Sequence, residues 1–221
     1  MTSPVPAEVA DLFGRREQPV REFPEQAGQV AAACLDMATR FRRGGKLIAF
    51  GIGGASTDAQ HVAVEFVHPV IVGKPALPAI SLTSDVATVT GIAAREGMGA
   101  AFARQLRLLA EPDDIALGIC AGPLVPGASA GDAPGAGRMA PLTAGDGGVP
   151  AGLAAARELG LLTVALAAGG GGDLAARADV DHLLVTSSTD PRIVKEIQVT
   201  MYHVLWELVH VFLEQPQGVV A

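Results

Sequence analysis

Cysteine, aromatic residues and charge are all scarce in this chain of 221 residues, and each shortage closes off a class of protein. The two cysteines, Cys34 within a helical pattern and Cys120 at the end of an apolar run, are too few to staple a chain of this length. They also lack the paired spacing of a metal site, and read as reduced thiols in a cytoplasmic protein. Charged residues are 18% of the sequence and the formal net charge is -7, with no basic cluster beyond Arg40, Arg42, Arg43 and Lys46, which argues against nucleic acid as a direct ligand. No run of about eighteen apolar residues occurs, and the opening MTSPVPAEVADLF has no basic region followed by an apolar core. Membrane insertion and Sec export are both disfavoured.

Hydrophobic residues, at 49%, are ample for one large core, so a single domain is expected over 1–221, with a helical segment over 1–45. Aromatics are only 4%, against abundant alanine and glycine, which points to close packing of helices on a sheet. A charge-poor, apolar surface would imply oligomerisation.

The chain is organised around residues 46–69, KLIAFGIGGASTDAQHVAVEFVHP. A short apolar strand over 46–50 runs into the glycine turn Gly51-Ile52-Gly53-Gly54 and then into a helix bearing His61 and Glu65. Residues four apart share a helix face, so an imidazole and a carboxylate point together from it. A dinucleotide fingerprint would need a third glycine where Ser56 stands and an acidic ribose partner about twenty residues on, so no nucleotide cofactor is expected. Gly51 and Gly53 taken alone serve a tight turn. Behind them, Ser56, Thr57 and Asp58 offer caps and free amides suited to a polar or anionic ligand.

Upstream, a short helix is expected over 6–15, and Pro24 opens a longer one that Gly44-Gly45 stops. Downstream, strands over 79–82, 115–120, 162–167 and 182–186 alternate with helices over 86–94, 99–110 and 151–159, and a long apolar helix over 190–214 closes the pattern. Such alternation predicts an α/β domain with a mainly parallel sheet, whose ligands gather beyond the carboxyl ends of the strands. Thr83-Ser84-Asp85 is a helix-capping signature at one such end. Residues 121–150, dense in glycine and proline, are expected to be a mobile insertion.

Four of the five histidines fall in a spacing that occurs twice, H-x3-E-x2-H: His61, Glu65 and His68, then His203, Glu207 and His210. On facing helices, imidazoles and a carboxylate can hold a divalent metal. The alternative is that two helices carry polar residues at the core's edge by chance. His68 precedes a proline, which pushes it out of helical geometry.

GIGGASTDAQHVAVEF, AISLTSDVATVTGIA, PDDIALGIC and EIQVTMYHVLWELVH resemble the sugar isomerase (SIS) domain, specifically its phosphoheptose isomerase branch, over about residues 25–214. The first matches the family's G-x-G-G-S followed by D-A-x-H-x-x-x-E. The resemblance implies a flavodoxin-like five-stranded parallel sheet with helices on both faces, a homotetramer with active sites at subunit boundaries, and conversion of sedoheptulose 7-phosphate to a heptose 7-phosphate. It places Glu65 on the catalytic carboxylate, His203 on the catalytic imidazole and His61 on a metal ligand of zinc-binding members. A metal would then be held by His61, Glu65 and His203, and Gly53, Gly54, Ser56, Thr83, Ser84, Asp85 and Lys195 would line the substrate mouth. Aldose-ketose interconversion needs a base for the proton next to the carbonyl and an acid for the adjacent oxygen, work that a carboxylate and an imidazole can share.

The sequence departs from the family where Ile52 and Ala55 replace Asn and Ser, where Lys195 and Gln198 replace Gln and His, and where Cys120-Ala121-Gly122-Pro123 replaces a serine- and threonine-rich phosphate loop. Each lost charge-assisted hydrogen bond to a phosphate is worth roughly 1.5–3 kcal/mol. Two uses of the scaffold therefore remain open: a diverged sugar-phosphate isomerase, or a binding or accessory protein with a protein partner or a metal but no phosphate site.

Overall fold

The computed structural model describes residues 6–120 and 148–215. Seven α-helices and five strands are described: α1 (Ala7–Glu22), α2 (Ala27–Arg42), β1 (Leu47–Gly51), α3 (Gly54–Val67), β2 (Ala79–Ser81), α4 (Val86–Glu96), α5 (Ala101–Leu109), β3 (Ile115–Ile119), α6 (Gly148–Glu158), β4 (Leu162–Ala168), β5 (His182–Thr186) and α7 (Pro191–Glu214). All strand pairs are parallel, in the order β2-β1-β3-β4-β5, the flavodoxin-like arrangement expected from the sequence.

The alternation of side chains along the buried strands creates two cores. Leu47 and Ala49 of β1, with Ile115, Leu117 and Ile119 of β3, face α2, α3 and α7; Ile48 and Phe50, with Ala116, face Phe102 and Leu106 of α5 and Leu153 of α6. Helices therefore cover both faces. Both cysteines are buried, and burial pushes each thiol up to about 12, as structural thiols require. Gln26 pairs with the Val185 backbone in both directions, its Oε1 accepting from Val185 N at 2.9 Å, and so occupies the exposed edge of β5. Among the described residues no helix is long and apolar enough to cross a membrane.

Three expectations about element ends need correction. The first helix runs to Glu22 rather than stopping near 15, because it docks on α7: Arg16 donates from Nε and Nη2 to Glu196 at 2.7 and 2.9 Å, and Pro19 is buried. The helix expected to open at Pro24 opens instead with a 3-10 turn, Phe23–Gln26. Residues 148–150, assigned from the sequence to a mobile insertion, are the first turn of α6, where Pro150 removes no helical hydrogen bond. The rest of that insertion lies outside the described residues.

Candidate active site

β1 delivers the chain to the site at Gly51. A Cβ there would stand 2.8 Å from both the Cβ and the carbonyl oxygen of Ala55, so only hydrogen fits between strand and helix. Gly53, at φ 62° and ψ -125°, takes a backbone conformation that L residues rarely adopt. A Gly51→Ala variant should lose roughly 1–3 kcal/mol of stability by overpacking, read as a lower urea midpoint at an unchanged slope. An unchanged midpoint would show that the first turn of α3 yields freely.

The polar residues after this turn are largely self-satisfied. Ser56 Oγ donates to Gly53 O and Thr57 Oγ1 to Gly54 O, each at 2.7 Å, and no side chain caps α3. Their expected capping role is therefore corrected: short hydroxyl side chains within a first turn reach back to carbonyls. Thr83 Oγ1 donates to Ser56 O at 3.1 Å and shares a 2.8 Å hydrogen bond with Ser81 Oγ, tying the end of β2 to α3. Ser84 is exposed. Asp85 does cap α4, accepting from Thr88 Oγ1 at 2.6 Å and Thr88 N at 3.1 Å, and these bonds hold its carboxyl below the usual range.

Lys195 reaches across from α7 to the same turn. Its Nζ donates to both carboxylate oxygens of Asp58 at 2.7 Å, with Gly54 O and Thr57 Oγ1 at 3.2 Å. Asp58 is buried, while the Lys195 side chain is 42% exposed. The other departures noted above turn inward: Ala55 is fully buried, and Ile52 packs toward α6 and the second core. Gln198 is buried with Nε2 donating to Cys120 O at 2.8 Å, and its Oε1 has no partner among the described residues.

At the centre, α3 and α7 lie side by side and run the same way, since Asp58 meets Lys195, His61 meets Tyr202 and His203, and Phe66 meets His210. His61 Nε2 is 3.1 Å from Glu65 Oε1, and the His61 and His203 rings stand edge to face with centroids 5.3 Å apart. His61, Glu65 and His203 each offer a ligand atom within 4.8 Å of the others. The Glu65 side chain is 13% exposed and that of His61 45%, so the group opens on one side.

The other members of the two histidine patterns do not join it. His68 is exposed where α3 ends, Glu207 is exposed, and His210 is buried with Nδ1 2.8 Å from Trp206 O and Nε2 3.0 Å from Pro75 O. His182 instead pairs with Asp36 at 2.7 Å.

A family model described as SIS domain matches residues 17–121. A phosphoheptose isomerase of Nitratidesulfovibrio vulgaris is 35% identical over 193 residues, covering 87% of this chain and 82% of the relative. One of Desulfovibrio desulfuricans is also 35% identical, over 86% of this chain and 80% of the relative. The chain belongs to the phosphoheptose isomerase branch of the SIS-domain family. Solved phosphoheptose isomerases of Neisseria gonorrhoeae and Francisella tularensis share its fold with a TM-score of 0.74 each, at 23% and 24% identity. The first match covers 91% of this chain and 96% of that structure, the second 93% and 100%.

Within this SIS domain the donor set suits a divalent ion such as zinc. Two ligands about 2.0–2.1 Å from a tetrahedral ion stand about 3.3 Å apart, close to the 3.1 Å between His61 Nε2 and Glu65 Oε1. Three protein ligands would leave a coordination position for water or substrate. The sequence reading missed one member of the site, Tyr202, whose hydroxyl lies 3.2 Å from His61 Nδ1. The available signal was its position, since the only tyrosine of the chain directly precedes His203. Its burial, reinforced by the carboxylates of Asp58 and Glu65, pushes the phenol well above its ordinary pKa.

Proposed function

We propose that this chain is an aldose-ketose isomerase converting sedoheptulose 7-phosphate to a heptose 7-phosphate through an enediol. The observation that carries the reading is the convergence of Glu65 and His203, from separate helices, on one opening of an SIS domain whose relatives are named phosphoheptose isomerases. Glu65 removes the proton on the carbon next to the carbonyl, and His203 exchanges a proton with the adjacent oxygen. In this reading Gly53, Gly54, Ser56, Thr83, Ser84 and Lys195 would contact the phosphorylated sugar, with Asp85, the cap of α4, beside them. His61, Glu65 and His203 would hold a zinc ion, which would supply Lewis-acid polarisation of the carbonyl. Glu65 engaged as a ligand is a poorer base, so the two roles compete.

The homotetramer that the family likeness implies and the cytoplasmic location belong to this reading, and exposed apolar side chains support self-association. On α1, Val9, Leu12, Phe13 and Val20 are exposed, Phe13 at 69%, and Val72 beyond α3 is 100% exposed. Boundary sites between subunits would cover the open side of His61.

One observation favours a second reading, a metal-binding accessory protein: the Lys195 ammonium is already taken up by Asp58, leaving less free positive charge for a phosphate. Assay with sedoheptulose 7-phosphate beside pentose and hexose phosphates, together with elemental analysis, separates the two. Heptose phosphate turnover is expected, along with a zinc content that falls in His61→Ala. Zinc retention without turnover of any sugar phosphate would transfer the case to the second reading.

A further inference from the structure

We propose that Tyr202 is the positioning residue of this site, its hydroxyl fixing the plane and tautomer of His61 and so setting how tightly His61, Glu65 and His203 hold a divalent cation. The proposal rests on reading those three residues as a cation site.

His61 is the most exposed member of the group, on a helix face open to water, and an imidazole in that setting rotates freely unless something grips it. Its grip comes from behind. Tyr202 is fully buried on α7, wedged edge to face against both His61 and His203, with ring centroids 5.5 and 4.9 Å away. The sole hydrogen bond of its hydroxyl among the described residues is the one to His61 Nδ1, at 3.2 Å. The opposite nitrogen, Nε2, is the one that faces Glu65 and the cation position.

The choice of a phenol has a chemical reason. A neutral imidazole carries a single N–H. With the proton on Nε2, His61 donates to Glu65, and the Tyr202 hydroxyl donates to Nδ1. To bind a cation, Nε2 must present its lone pair, which places the proton on Nδ1, where it donates to the same Tyr202 oxygen. A carbonyl could serve only the second state and an ammonium only the first. A hydroxyl serves both, so His61 changes tautomer without losing its partner or its plane. Partners of this kind behind a ligating histidine typically change metal affinity by about 10–100-fold when removed.

The decisive variant is Tyr202→Phe, which keeps the buried ring and removes only the oxygen. Calorimetric titration of metal-free wild-type and variant protein with zinc chloride is expected to show an affinity about tenfold or more weaker in the variant. The cobalt-loaded variant should show an altered visible absorption band, a signature of ligand geometry that packing alone would not move. In wild-type protein labelled with nitrogen-15, the His61 ring shifts should report Nδ1–H once zinc is added, which tests the tautomer without any substitution. Equal zinc affinity and identical cobalt spectra in the two proteins would overturn the positioning role while leaving the cation site intact. Absence of zinc and cobalt binding by wild type itself would overturn both.

Discussion

Turnover of sedoheptulose 7-phosphate is expected to fall by about 10³-fold when Glu65 is replaced by glutamine, with the fold unchanged. The side chain is mostly buried, and one of its oxygens faces His61 Nε2 at 3.1 Å. An amide of the same shape keeps the packing and can keep that hydrogen bond, but it cannot accept the substrate's proton. If Glu65 acts in the transition state alone, kcat and kcat/KM fall together while KM changes little.

Glu65 also belongs to the cation group, and excess zinc separates the two roles. A deficit that persists at saturating metal identifies the base, and a rate restored by metal identifies a ligand. His203→Ala should cost a comparable factor if the protons it moves belong to the same proposed reaction; the combined variant should then be little worse than either alone. A Glu65→Gln enzyme within tenfold of wild type would remove Glu65 from the chemistry.

Much of this site was legible because a period and a turn carry it. An apolar run ending in Gly51-Ile52-Gly53-Gly54 could hardly avoid being a strand feeding a helix, and the spacing of His61 and Glu65 put them on one face of that helix. The parallel sheet followed from the alternation of elements, and its strand order was implied by the family likeness and matches the structure. What spacing could not say is which residue stands opposite. His203 and His210 share a stripe of α7, yet two turns separate them by about 10 Å along the axis. The first therefore meets His61, while the second reaches Pro75 beyond the end of α3. Tyr202 was hidden for a different reason: a tyrosine in an apolar helix looks like core, and here it is core whose hydroxyl reaches the His61 ring. Local sequence ends α1 near residue 15 because the partner that extends it to Glu22, Glu196, is distant in the sequence.

Replacing Lys195 by methionine should destabilise the protein by about 2–3 kcal/mol, a little under the usual range for breaking a buried ion pair because the Lys195 side chain is partly in water. Asp58 bears the cost. It is buried, both of its oxygens accept from Lys195, and methionine would leave it buried without a cation. Asp58→Asn in the Lys195→Met background should recover part of the loss, giving a coupling energy of about 1–3 kcal/mol in a double-mutant cycle. The same variant also decides what Lys195 does for a substrate. As a strut it joins α7 to the first turn of α3, so its loss would lower the unfolding midpoint and loosen the approach of His203 to Glu65, reducing kcat. As a phosphate ligand it would leave stability nearly untouched and raise KM for phosphorylated sugars. Four acceptor atoms already surround the three N–H groups of one ammonium, which favours the strut, and a Lys195→Met protein of wild-type stability with a raised KM would overturn that assignment.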